Sequence, residues 1–424
     1  MGALHQSFED SLEKFPLLVI ENIIAEKLAA VNVDDPVLVR QIAEALMANE
    51  GKIITIKSPV GRSLDFTEED MKQFEKAMSG FMDELPDFVD KVAEMAAQQL
   101  VEEYRSQWKD SQPSVDEAAK IQTRIAKTWG GALDALRLVV ALCCEEGETF
   151  NFAQMKSNLK RDAARNVALA RLHIRACRIA EEIILLVSNG HTEGAQGRWR
   201  TLHEVAVTAT LIAAGGDAIA ERYFAHEAIE RKKALNDYRR AAATLGVAKV
   251  SGKEADTIER ECDAAVRRYG RHFQSPYGWA GGMLGLPDAP QFHNLQEVAG
   301  KLGEKLRFRL ACFDTHASPQ ALRQPIHGWD PTTHISGMFS AGFEAPIGDT
   351  AQSIVQITLL LFREPWNLDR IAWVLTLARL RDDLIDDVDR IARRIEKDEQ
   401  RSIERAMRRP GRTFGYVKPR PIRR

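Results

Sequence analysis

The stretch Asn158–Gly190, NLKRDAARNVALARLHIRACRIAEEIILLVSNG, decides the fold class. Its apolar residues Leu159, Ala163, Val167, Ala170, Ile174, Cys177 and Ile184 are three, four or seven positions apart. An α-helix turns once in about 3.6 residues, so these steps predict one helix with an apolar stripe. Asn189-Gly190 supplies the stop, because glycine enters the left-handed conformation that ends a helix without a Cβ clash.

The same period runs outward in both directions. It predicts helices over 7–31, 35–49, 115–146, 196–213, 217–246, 252–270, 293–317, 349–363 and 367–407. Another begins at Thr67, where Glu68, Glu69 and Asp70 suit the positive end of a helix, and runs to about Trp108 with one interruption at Pro86. Only Lys52–Lys57 reads as a strand, and one short strand builds no sheet. The expectation is an all-α protein: a mostly antiparallel multi-helix bundle with long loops. Its divisions are a helical region 1–150, a central helical domain 151–346, a helical segment 347–400 and a basic tail 401–424. Two loop-rich interruptions, Gln274–Gln291 and Pro325–Pro346 (with His327, Trp329 and His334), are long for a helical protein and mark places where a site would lie.

Composition narrows the function class. With 45% hydrophobic and 28% charged residues in 424, the chain is too apolar to be disordered. A net charge of −3 excludes a uniformly basic nucleic-acid binder, but the average hides an asymmetry. In residues 401–424 nine basic residues stand against Glu404 alone, a net of +8, so the preceding 400 residues carry −11. The five cysteines, Cys143, Cys144, Cys177, Cys262 and Cys312, are odd in number and form no CxxC pair. They point to a reducing, cytoplasmic setting in which Cys143 and Cys144 act as small apolar residues. No basic residue precedes the first apolar run, so no secretory signal is expected. Apolar runs such as Ile357–Phe362 fall far short of the roughly 20 residues a membrane span needs, so no membrane partner is expected.

Three places carry chemistry. In Arg198-Trp199-Arg200-Thr201-Leu202-His203-Glu204, helical spacing puts Arg200, His203 and Glu204 on one face. Glu204 then pairs with Arg200, or orients and charges His203; the alternatives are a surface ion pair and a polar cluster facing a cleft. In Phe308–Ser318, Arg309 and His316 are seven apart, so on one helix both project from the same side, about 10 Å apart along the axis, with Cys312 between them. An Arg binds phosphate and a His moves protons near neutral pH. In Asp382-Asp383-Leu384-Ile385-Asp386-Asp387, Asp383 and Asp387 share a face that would suit Mg²⁺. The spelling resembles the aspartate-rich motif of isoprenoid synthases. Asp386–Arg390 and Asp389–Arg393 ion pairs on a solvated face explain the run as well. No zinc spacing, P-loop or G-x-S-x-G elbow occurs, and neither metal nor cofactor is expected.

The ordered set Arg198–Glu204, Tyr277-Gly278-Trp279-Ala280 and Phe308-Arg309…Cys312…His316-Ala317-Ser318 resembles a bacterial all-helical family, domain-of-unknown-function family 5677, over roughly 155–345. The family pattern has an aromatic-Arg pair, a Ser three residues on and a His-Ala-Ser; here Cys312 replaces that Ser. The Arg309…His316 pair also resembles the Arg-x4–6-His of the HEPN ribonucleases, which are all-α and usually dimeric, although Leu310 stands where they carry a polar residue. That likeness implies metal-independent RNA cleavage by a toxin or defence effector. Arg309 would hold the scissile phosphate, His316 would act as general base or acid, and two copies would meet in a homodimer. The alternative is a non-catalytic helical protein that acts on a protein partner, and the second alternative a Mg²⁺-dependent enzyme. The tail, with Arg408, Arg409, Arg412, Lys418, Arg420, Arg423 and Arg424 beside Phe414 and Tyr416, suits RNA phosphates and bases, or docking on an acidic protein surface.

Overall fold

The computed structural model describes residues 3–48, 56–57, 63–64, 66–111, 113–156, 162–248, 250–316, 318–319, 337–362 and 367–407. The fold is all-α, as the periodicity predicts. The chain divides into two compact units, Met1–Gln112 and Pro113–Arg424. The divisions expected near 150 and 346 fall inside helices.

The first unit holds α1 (Ala3–Ala29), α2 (Pro36–Ala48) and α3 (Glu68–Ser111). Pro36 opens α2 at the position where its missing N–H costs nothing, and Asp35 Oδ1 accepts from the N–H groups of Val37 and Leu38. Thr67 caps α3 as its sequence foretells: Thr67 and Asp70 bond each other reciprocally, and Lys27 lies 2.5 Å from Asp70. Ile20, Ile24, Leu28, Ile42, Ala43 and Leu46 form the small core between α1 and α2. The helix α3 passes through Pro86. Of the expected strand, Ile56–Lys57 pairs antiparallel with Ser63–Leu64, and residues 52–55 lie outside those described.

The second unit is built on α4 (Pro113–Lys156), α5 (Ala163–Ser188), α6 (Thr192–Ala225), α11 (Glu344–Leu359) and α12 (Leu368–Met407), whose buried aliphatic residues make one continuous core. Around it lie α7 (Glu227–Leu245), α8 (Gly252–Tyr269), α9 (Phe292–Val298) and α10 (Lys305–Thr315). The hairpin α5–α6 turns at Asn189-Gly190. Gly190 has φ 78°, and a Cβ there would lie 2.7 Å from the Phe339 carbonyl oxygen. A second conformational break, Gly216 at φ 66°, divides α6 where the sequence predicts a gap between two helices. The helix expected over 293–317 is instead α9, a 3₁₀ turn at Leu302–Glu304, and α10. Among the described residues, the stretch Thr192–Ala242 contains a window of mean hydropathy 1.2, and half of that window is buried in this unit.

The key helix α5 forms, but its buried face only partly follows the predicted stripe: Ile184 is buried and Ala170 and Cys177 lie against the core. Val167 and Ile174 are 45% and 49% exposed, whereas Leu169, Leu172, Ala176, Ile179 and Ile183 are buried. Three polar residues lie on that buried side. Arg165 reaches the carbonyls of Ala213 and Leu360, Asn166 bonds Gln154, and His173 bonds Thr358. Their partners satisfy them, so a face that reads as mixed packs as core.

The loop 274–291 is organised by Arg222, which donates to the carbonyls of Trp279, Gly278 and Gly281 while its guanidinium lies over Tyr269 and Phe273. A Cβ on Gly281 would sit 2.1 Å from the backbone oxygen of Asp288. Gly281→Ala should therefore force the loop backbone apart and lower stability by about 1–3 kcal/mol. The check is the urea midpoint against that of Gly285→Ala, where a Cβ meets open space but the backbone is left-handed.

Candidate functional site

The site is built on one face of α6. Trp199 is buried, and its indole N–H donates to the Asp349 carbonyl at 3.0 Å and the Ser353 hydroxyl at 3.1 Å. One residue on, Arg200 is half-buried. It pairs with Glu204 at 2.9 Å, donates to Cys312 Sγ at 3.1 Å and lies 5.1 Å over the Phe308 ring. Of the two partners the sequence allowed Glu204, the structure selects Arg200.

His203 is fully buried and takes a different acid. Its Nδ1 is 2.9 Å from Glu304 Oε2, an ion-pair distance at which the atoms are not aligned for a hydrogen bond. Its Nε2 is 2.9 Å from the Gln296 amide nitrogen. With that amide donating, Nε2 accepts and the ring proton faces the carboxylate. Glu304 also pairs with buried Lys301 at 3.3 Å. Burial alone would raise the Glu304 carboxyl, but His203 and Lys301 outweigh it and hold it below the usual range. Burial likewise lowers the Lys301 ammonium, against the pull of Glu304. Next to this network, Arg307 pairs with buried Asp349, whose carboxyl burial pushes up to about 6 although Arg307 and Gln196 oppose it.

Aromatic rings seal the cluster. Phe308 packs, with its ring tilted, at 5.2 Å from His203 and 4.8 Å from Phe292, which in turn meets Tyr277 at 5.8 Å. Burial, reinforced by Glu204, raises the Tyr277 hydroxyl. The three sequence motifs thus converge through Arg200, Tyr277, Phe308 and Cys312. Packing of Phe308, Ala311, Cys312 and Thr315 toward α6 explains it, since these residues recur at helical spacing.

Arg309 and His316 do not join this cluster. Both are exposed, and no ion pair or side-chain hydrogen bond of either occurs among the described residues. The expected common face also fails by one residue. The helix α10 ends at Thr315, and His316 is extended, with φ −111° and ψ 147°. Beside them Leu302, Leu306 and Leu310 are 50%, 67% and 41% exposed, four residues apart, with Lys305 and Arg309 along the same surface. On α12, Asp387 pairs with Arg390 and Asp389 with Arg393, and among the described residues no group of three or more His, Cys, Asp or Glu is placed to hold a metal. A shallow groove of about 360 Å³ there is lined by Arg390, Arg393, Arg394, Lys397, Asp398 and Arg401. Arg408, Arg409, Arg412, Lys418, Arg420, Arg423 and Arg424 lie outside the described residues, as do His327, Trp329 and His334.

Sequence reasoning missed Gln296, Lys301, Glu304, Arg307, Asp349 and Arg222. Lys301 and Glu304 carry an i,i+3 charge signal, but it reads as surface; only their distant partners make it interior.

Residues 166–332 match the model of a family of unknown function, DUF5677. That bears out the resemblance carried by the three motifs and lies inside the range they marked; the match covers α5 through α10 and less than half of the chain. Searches of curated proteins and of solved structures gave no match.

Proposed function

We propose that the protein acts as a non-catalytic helical interaction protein, with the outer face of α10 as its contact surface. The observation that carries this reading is the exposure of Leu306 and Leu310 on α10, with Leu302 exposed in the 3₁₀ turn before it, beside Lys305 and Arg309. Apolar residues four apart beside cations suit an amphipathic helix with an acidic margin. The polar residues that would make a reaction centre are used internally: Arg200 by Glu204 and Cys312, His203 by Glu304 and Gln296. The test compares tagged full-length protein with Leu306→Asp after purification from its own cells. A discrete partner at constant stoichiometry that falls at least tenfold with Leu306→Asp supports the reading; a partner retained in full by the variant refutes it.

RNA cleavage is the second reading, favoured by one observation: Arg309, in the middle of α10, and His316, just past its end, are both exposed. In that reading a second copy completes the site. Purified protein then cleaves RNA in EDTA, and His316→Ala lowers the rate by roughly 100-fold or more with the fold intact. Cleavage unchanged in His316→Ala removes this reading.

A further inference from the structure

In the first unit, α3 carries an apolar period that its contacts with α1 and α2 do not use up. Met78, Phe81, Leu85, Phe88, Val92 and Met95 alternate in steps of three and four. That is the seam of a coiled coil, positions a and d of a heptad abcdefg, over about 26 Å of helix. Position e is apolar as well, at Met82, Val89 and Ala96. A stripe of three apolar positions in every seven is broad enough for two neighbours. The helix α1 is one of them: Phe15 stacks on Phe81 with 3.7 Å between ring centroids, and Phe74 packs on the α1–α2 core. Beyond Phe81 the stripe lies open. Met82, Phe88, Val89 and Met95 are 58%, 53%, 38% and 71% exposed. Gly80 and Pro86 fall at c and b, outside the stripe.

We propose that α3 pairs with α3 of a second copy of this chain as an antiparallel coiled coil, in which Glu84 of each copy meets Lys91 of the other. Charge selects both the occupant and its direction. Asp83, Asp87, Asp90 and Glu94 fall at c and f, away from the seam. From Ala77 to Gln98 the only charges at positions e and g are Glu84 and Lys91, of opposite sign and one heptad apart. Both are exposed, and neither has an ion pair or side-chain hydrogen bond among the described residues. In a parallel pair, g faces e of the next heptad, so Glu84 would meet Val89 and Lys91 would meet Ala96, and no charge gains a partner. In an antiparallel pair g faces g. The register that joins Glu84 to Lys91 also sets Leu85 against Phe88, Phe81 against Val92 and Met78 against Met95. Two-fold symmetry makes each of these contacts twice. Polar matching and apolar matching thus agree on one register, with its dyad between Leu85 and Phe88.

Sedimentation equilibrium of the full chain at micromolar concentration should give twice its 47.5 kDa mass. Phe88→Asp should return it to the monomer with its helical circular dichroism unchanged. Glu84→Lys and Lys91→Glu alter exposed positions that the fold does not need. Each turns two attractions into two repulsions and should weaken the dimer by roughly tenfold, whereas the double variant should recover the parent's affinity within about threefold. A monomer throughout the micromolar range, a dimer indifferent to Phe88→Asp, or a double variant as weak as the single ones overturns the assignment.

Discussion

Replacing Glu304 by Ala should cost about 3–5 kcal/mol in urea unfolding of the full chain, the range expected when one member of a buried ion pair is removed. Glu304 holds two partners, Lys301 and His203, and both are buried. Without the carboxylate, Lys301 keeps an ammonium that burial already disfavours, and the His203 N–H faces an apolar hole. The penalty belongs to the groups left behind rather than to the strength of the pair. The combination Lys301→Met with Glu304→Leu should therefore be more stable than Glu304→Ala by at least about 1 kcal/mol, since no charge remains uncompensated. A Glu304→Ala variant within about 0.5 kcal/mol of the parent would show that the network carries no such load.

That network also marks where the sequence stops being legible. Helix period is a local property, and it located nearly every long helix, including the Gly216 break in α6 and the Thr67 start of α3. Most local pairs were readable: Arg200 with Glu204 lies at 2.9 Å and Asp389 with Arg393 at 3.8 Å, but Arg390 takes Asp387, three residues back, instead of the expected Asp386. Contacts across the chain were not. Cys312 is 112 residues from Arg200, Gln296 is 93 from His203, and nothing in either segment announces the other. The same blindness misplaced the face of α5. The apolar period alone runs the predicted stripe through Val167 and Ile174, and it gives polar Arg165, Asn166 and His173 no place in the core. Partners on α6, α11 and the Leu360 carbonyl reverse that reading. At α10 the error was one residue of helix length, enough to separate His316 from the face of Arg309.

The second large effect is a pair of opposite pH dependences inside one core. Burial lowers His173 to about 4, against an ordinary value of 6.5. As pH falls from 6.5 to 4 the unfolded chain binds a proton that the folded chain refuses, so His173 removes stability over that window. Asp349 behaves in the opposite sense. Burial raises it to about 6 from 3.8, against Arg307 and Gln196, so the folded chain binds its proton first. Falling pH between 6 and 4 then adds stability. One pKa unit corresponds to about 1.4 kcal/mol, so each group contributes about 3 kcal/mol, and the two nearly cancel in the parent. Substitution should expose each one. Relative to the parent, His173→Gln should gain about 3 kcal/mol on going from pH 7 to pH 4, because its acid penalty is gone. Asp349→Asn should lose about the same amount over that interval, because its protonation no longer favours the fold. Urea midpoints at pH 7, 5.5 and 4 read both slopes. Equal slopes in the two variants would mean that neither group titrates apart from its unfolded value. Opposite slopes would show that His173, which bonds Thr358 near the end of α11, and Asp349, near the start of the same helix, each refuse charge.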